Sequence, residues 1–304
     1  MSELILWSYD ASPFTQKALL MLGIKGAQYG WVETPMLPPK ADLVTLTGGY
    51  RGTPVLQSGA DVYIDSQLIA RELERRLPTP PLFPLGSGLE LAMVKWSDAF
   101  FRSALKVALA LMLPQWPEEF RRDRQYLFPD IDFETVADEA EHAKSQFRAH
   151  AALLDQQLAG SDFLGGSKPG LADVQAYPFT WLARGAFADL AAQLLQGLDA
   201  LPAWEQRMAT IGHGRRTPMA AAEALAVARD SRPQPAAGID ALDAALLKGS
   251  AVVEVSPDDT RRGGVRGTLV HSSPTEFAVH RVEPSIGDIV VHFPRLGYRL
   301  TPAG

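Results

Sequence analysis

The run Arg51-Gly52-Thr53-Pro54-Val55-Leu56-Gln57, followed eight residues later by Asp65-Ser66, constrains the fold of this chain more than any other stretch. Pro54 stands where the apolar Val55-Leu56 begins a strand, and proline is tolerated there only at an edge or a first position. The Thr53-Pro54 bond is a candidate cis peptide, which turns the chain through a sharp, rigid corner. Such a corner is expected to leave the N–H and C=O of Val55 without a partner strand, open to the backbone of an extended peptide. Asp65-Ser66 opens the helical run from Ser66 to Leu77, where helix-end N–H groups and short polar side chains can hold a carboxylate. Corner and helix start together describe a site for a small acidic peptide.

Composition narrows the classes. The chain has 304 residues, 46% hydrophobic and 21% charged, which suits two or three globular domains. A net charge of −6 argues against a broad nucleic-acid footprint, which needs a basic face. No apolar run reaches the roughly 18 residues of a membrane span. Met1-Ser2-Glu3-Leu4 lacks the basic-then-apolar layout of a signal peptide, so a cytoplasmic location is expected. The absence of cysteine removes disulfides, thiolate metal sites and any protein thiol nucleophile. Thiol chemistry here must use the sulfur of a ligand.

Along the chain, Leu4–Tyr9 reads as a buried strand, Pro13 as the first turn of a helix ending near Gly23, and Gln28–Val32 as a second strand. Pro35–Gly49 reads as an irregular or short helical connection. Val55–Gln57 and Val62–Ile64 read as a hairpin around Ser58-Gly59-Ala60-Asp61. The order is β-α-β-α-β-β-α. Thr79-Pro80-Pro81-Leu82-Phe83-Pro84 is a stiff linker, and from Leu89 to about Ala228 the pattern is helical almost throughout. Asp173 is placed to reach back to the Gly170 N–H, one half of a capping box. Beyond the linker Pro233–Gly238, a short helix (239–247) and five short strands (Val252–Val255, Val265–His271, Phe277–Val282, Asp288–Phe293, Tyr298–Thr301) suggest a small antiparallel sheet or barrel.

Residues 4–77 resemble the thioredoxin-fold domain of glutathione transferases, in which the Thr-Pro-Val-Leu corner holds the cysteinyl backbone of glutathione and the acid-Ser pair receives its γ-glutamyl end. The run Tyr9-Asp10-Ala11-Ser12-Pro13-Phe14-Thr15-Gln16-Lys17 is similar to the omega-like pattern, with Ser12 in the place of the active-site Cys. That substitution removes the reductase and dehydroascorbate chemistry associated with the omega-type Cys. The likeness extends to residue 230. It implies an α+β multidomain protein: a thioredoxin-like βαβαββα domain (1–78), an all-α transferase C-terminal domain (86–230), and a small antiparallel β module (238–304) that standard transferases lack. The Gly287-Asp288-Ile289-Val290-Val291-His292-Phe293-Pro294-Arg295 run resembles the tail of transferase-like proteins of uncharacterised function.

The resemblance assigns roles. Ser12, between strand and helix, would stabilise the glutathione thiolate by a hydrogen bond, helped by N–H groups near Phe14 and the helix dipole. The plain alternative is a Ser that only caps the helix before Pro13. Pro54 and Val55 would hold the cysteinyl backbone, and Asp65 and Ser66 the γ-glutamyl end. Arg51 or Lys40 would take the glycyl carboxylate, since Gly52 stands where the family often has Lys or Gln. Tyr9 does not fall where tyrosine-type transferases keep theirs (Leu6 does), so it reads as core or pocket wall. Trp96, Phe100, Phe101 and Met112 are candidates for an apolar second-substrate pocket, although a helical aromatic stripe is more often core. His280 and His292 share a parity on neighbouring strands. A metal site there would need His271 or Asp288 as well, and none is expected.

The leading expectation is an enzyme that binds glutathione as co-substrate and adds its sulfur to a small apolar electrophile, working as a homodimer without nucleic-acid or membrane partners. The alternatives are a non-catalytic interaction or regulatory module built on the same fold, and a carrier of apolar ligands.

Overall fold

In the computed structural model, which describes residues 4–235, 238–247, 249–250 and 252–303, all ten named strands among the described residues join one sheet. They are β1 (Leu4–Ser8), β2 (Gln28–Glu33), β3 (Val55–Ser58), β4 (Asp61–Ile64), β5 (Arg215–Pro218), β6 (Val252–Pro257), β7 (Val265–Ser272), β8 (Glu276–Glu283), β9 (Gly287–Pro294) and β10 (Tyr298–Pro302). The helices are α1 (Pro13–Ile24), α2 (Ala41–Thr47), α3 (Ser66–Arg76), α4 (Ser87–Met112), α5 (Glu118–Leu127), α6 (Ala140–Leu158), α7 (Leu171–Ala186), α8 (Ala188–Leu194), α9 (Leu201–Thr210), α10 (Ala221–Arg229) and α11 (Ala241–Leu246). The chain divides into two compact units. One holds Met1–Ala11, Gln28–Glu72 and Arg215–Gly304; the other holds Ser12–Ala27 and Leu73–Gly214.

The first unit contains the sheet, in the order β10-β6-β7-β8-β9-β4-β3-β1-β2-β5. Its centre is the four-strand thioredoxin-like set: β1 runs parallel to β2 and antiparallel to β3, and β3 forms a hairpin with β4. Gly59, at φ 63°, makes the tight turn of that hairpin. The C-terminal strands do form the antiparallel meander expected, β6 to β9, with β10 returning to pair with β6.

Two findings differ from the expected layout. Residues 238–304 were expected as a separate accessory domain, but β9 pairs in parallel with β4, in the register Asp61↔Val290, Val62↔Val291 and Tyr63↔His292. The physical reason is the outer edge of β4. A strand edge with open N–H and C=O groups takes up another strand, and β9 supplies one as apolar as a buried position needs. A single core follows: Ile5, Trp7, Val55, Val62 and Ile64 pack in one cluster with Val253, Val255, Val279, Ile289, Val291 and Phe293. The second difference is β5, within a stretch read as helical. Arg215–Pro218 extends and pairs in parallel with β2, closing the other side of the sheet before α10.

The second unit is helical. α1 begins as its sequence suggests: Ser12 is the N-cap with extended backbone, Pro13 takes the first helical position, and the Ser12 Oγ accepts from the Thr15 N–H at 3.4 Å. The half capping box also forms. The Asp173 carboxylate accepts from the N–H of Gly170 (3.0 Å), the N–H of Leu164 (2.9 Å) and the Trp204 indole (2.8 Å). Glu90, buried on α4, accepts from the N–H groups of Ala172 and Leu85 at 2.9 Å each. Two buried carboxylates thus satisfy loop and helix-end donors.

Candidate functional site

The corner forms in the first unit. The Thr53-Pro54 bond is cis. Pro54 and Val55 are buried, and Val55 is the first residue of β3, facing Trp7 in β1 and Ile64 in β4. This differs from the expected open Val55 backbone, because β3 lies between two partners and its ladder reaches back to its first residue. Thr53 and Pro54 lie outside the ladder, with Thr53 half-buried just before the cis bond. Gln57 locks the strand from its side chain, accepting from the Trp7 indole at 2.7 Å and donating to the Ala224 carbonyl at 2.8 Å.

Asp65 and Ser66 stand at the start of α3 in the same unit. Asp65 has φ 75°, the one positive-φ residue other than glycine among the described residues. A left-handed non-glycine residue costs energy that the surroundings must offset, and such residues concentrate at functional sites. Asp65 caps α3: its Oδ1 accepts from the Gln67 N–H at 2.9 Å, and its carbonyl from the N–H groups of Leu68 and Ile69. Ser66 is buried as the first helical residue.

Gly52 has a structural reason. A Cβ there would lie 2.4 Å from the Tyr50 hydroxyl, so the Tyr50 ring excludes a side chain at this position. Arg51 is tied to the C-terminal region, its N–H donating to the Arg262 carbonyl at 2.8 Å and its Nε to the Arg261 carbonyl at 3.4 Å. Lys40 is buried, its ammonium 5.3 Å from the centre of the half-buried Tyr9 ring.

Ser12 and Phe14 belong to the second unit. Ser12 is 6% exposed and sits at the positive end of a 12-residue helix. The half-buried Phe14 ring meets Phe101 of α4 edge-on at 4.8 Å. Behind them lies a buried lysine. The Lys17 Nζ donates to Gln175 Oε1 at 2.6 Å and lies 4.9 and 4.8 Å from the ring centres of Phe14 and Phe179. Trp96 is half-buried, with ring contacts to Phe100 and His150. Phe100 is 0% exposed among Phe147, His150 and Phe179, which makes it helical core without surface for a ligand.

The C-terminal histidines are held by carboxylates. His292 bonds Asp61 Oδ1 through Nε2 (3.0 Å) and Glu276 Oε1 through Nδ1 (2.7 Å), and stacks on Tyr63. Burial alone would push this imidazole down, but the two carboxylates outweigh it and hold it up at about 9. His280 bonds Asp288 at 2.8 Å. Among the described residues no three histidine or acidic side chains are grouped to hold a metal ion.

Sequence reasoning did not anticipate Tyr50, Arg262 and Tyr298, which surround Asp65. Tyr298 Oη donates to Asp65 Oδ2 at 3.3 Å and lies 3.5 Å from Tyr50 Oη. The pairing joins residues 233 positions apart, and no local pattern marks it.

Comparison with known proteins agrees with this architecture. Residues 6–81 match the glutathione S-transferase N-terminal domain and residues 137–207 its C-terminal domain. A GST-like protein from Pseudomonas syringae is 32% identical, with both chains covered completely and a TM-score of 0.80. Glutathione S-transferase U6 of Arabidopsis thaliana is 24% identical over 177 residues, 57% of this chain and 69% of that protein. A rice glutathione transferase solved with glutathione is 20% identical over 68% of this chain and 86% of its own, with a TM-score of 0.50, a likeness of fold. A thioredoxin-like domain followed by transferase helices defines the class, and the chain belongs to the glutathione S-transferase superfamily. It carries in addition the β-rich region β6–β10. No helix among the described residues is long and apolar enough to cross a membrane.

Proposed function

We propose that this chain is a glutathione transferase that binds glutathione at the Thr53-Pro54-Val55 corner and the start of α3, and adds its sulfur to a small apolar electrophile. The observation that carries the reading is that one unit holds both the Thr53-Pro54-Val55 segment at the start of β3 and Asp65, at φ 75°, at the head of α3. Asp65 would receive the γ-glutamyl ammonium, and Ser66 with the first N–H groups of α3 its carboxylate. Ser12 is assigned the thiolate. Its hydroxyl can donate to sulfur while its lone pairs still accept from Thr15, and the N-terminus of α1 adds positive potential. In the reaction the thiol proton passes to solvent and the sulfur electron pair forms a bond to the electrophilic carbon; either a leaving group departs with its bonding electron pair, or the addition product takes up a proton from solvent. Catalysis rests on thiolate stabilisation and proximity. Phe14, Phe101 and Trp96 are offered as apolar surface for the electrophile.

A homodimer in the cytoplasm is part of the same proposal. Because β9 covers the outer edge of β4, the dimer cannot form by pairing β4 edges, and solution mass tests it by giving twice the mass of one chain.

The deciding experiment is glutathione calorimetry on the wild type, Asp65→Ala and Ser12→Ala, with thiolate absorbance read on each complex. Expected are binding by the wild type, lost affinity in Asp65→Ala, and retained binding without thiolate in Ser12→Ala. No binding by the wild type at millimolar glutathione overturns the reading.

A further inference from the structure

The C-terminal region, absent from ordinary transferases, touches the corner at several points within the first unit. The Arg51 N–H donates to the Arg262 carbonyl (2.8 Å), and Gln67 Nε2 donates to the Leu296 carbonyl (3.4 Å). Gly49 (φ 131°) and Gly263 (φ 91°) meet backbone to backbone, since a Cβ on Gly263 would lie 2.3 Å from the Gly49 carbonyl oxygen. Tyr298 completes the set through its bond to Asp65 Oδ2.

That hydroxyl is well placed and of the right character. Tyr298 is 8% exposed, its ring 5.5 Å from that of Phe293. Burial first, then Tyr50 and Asp65, push its phenol well up, so it stays protonated and can donate. Asp65 is therefore held at both oxygens, Oδ1 by the Gln67 N–H and Oδ2 by Tyr298. Each oxygen keeps an acceptor lone pair for a ligand. The Arg262 guanidinium also lies near, hydrogen-bonded to Tyr50 and facing Asp259, Tyr298 and Asp65. That cation partly offsets the charge of Asp65, so a ligand ammonium there would depend on the hydrogen-bond geometry of the carboxylate as well as on its charge.

We propose that Tyr298 is a positioning residue for Asp65, setting the carboxylate to receive the ammonium of a γ-glutamyl peptide. The C-terminal region is thereby part of the peptide site. This rests on the glutathione reading above. Holding the acceptor before the ligand arrives removes an ordering cost from binding.

The test compares glutathione with its glutaryl analogue, which lacks only the ammonium, by calorimetry on the wild type, Tyr298→Phe, Asp65→Asn and the double variant. Phenylalanine keeps the packing on Phe293, and a melting curve verifies that the variant is folded. The wild type is expected to prefer glutathione by about tenfold, the size of a charge-assisted hydrogen bond. In Tyr298→Phe the preference should fall towards one with the analogue's affinity unchanged, and in the Asp65→Asn background the tyrosine substitution should change nothing more. An undiminished preference in Tyr298→Phe, or an equal weakening of both ligands, overturns the positioning role alone. A wild type that binds neither ligand overturns the glutathione reading, and the positioning role with it.

Discussion

His292 Nε2 lies 3.0 Å from Asp61 Oδ1, and this contact joins the N-terminal hairpin to the C-terminal meander. Glu276 holds the other ring nitrogen, so one imidazole sits between two carboxylates at the strand junction. The value held at about 9 lies above the ordinary 6.5, which means the folded state binds the proton more tightly. The stabilisation is complete below pH 6.5 and is lost as pH rises through 9. It is on the order of 3 kcal/mol. Urea midpoints for the wild type and His292→Gln should differ most near pH 6 and converge towards pH 10. A constant gap across that range would refute the linkage.

Removing the C-terminal strands should do more than shorten the protein. A chain ending at Arg232 loses β6–β10, bares the edge of β4 and strips Val291, Phe293 and Ile289 from the shared core. Each buried side chain of this kind contributes about 1.5–3 kcal/mol. The truncated chain is expected to aggregate or to unfold without a cooperative transition. A soluble fragment with an unchanged midpoint would mean that the thioredoxin-like half is independent.

Asp173 bonds three donors while wholly buried, so Asp173→Ala leaves two backbone N–H groups and the Trp204 indole without acceptors. A loss of about 3–5 kcal/mol in unfolding free energy is expected, measured by urea denaturation at neutral pH. A loss under 1 kcal/mol would show that water replaces the carboxylate.

Ser12→Cys puts a thiol at the N-cap of α1. The helix N-terminus favours the thiolate there, and a thiol so placed reacts below the usual 8.5. Alkylation by iodoacetamide as a function of pH should give an apparent pKa about one unit or more below that of a free thiol. The variant should also form a mixed disulfide with oxidised glutathione, visible by mass. A normal thiol pKa would remove the helix from the proposed activation of sulfur.

Local chemistry made much of this protein legible. Pro13 after Ser12 begins a helix, Pro54 before Val55 makes a corner, and Asp173 three residues after Gly170 caps a helix, because each depends on neighbours a few positions away. The C-terminal strands could be read for the same reason, from alternation and turn residues. Their partner could not. The edge of β4 accepts whichever strand offers matching apolar residues, and no local pattern records that β9 does so. The surroundings of Asp65 are likewise the work of tertiary structure, since Tyr298 and Arg262 come from strands and turns some two hundred residues later. Sequence determined the elements and the chemistry each can bring. Only the closing of one sheet across the whole chain decided which of them meet.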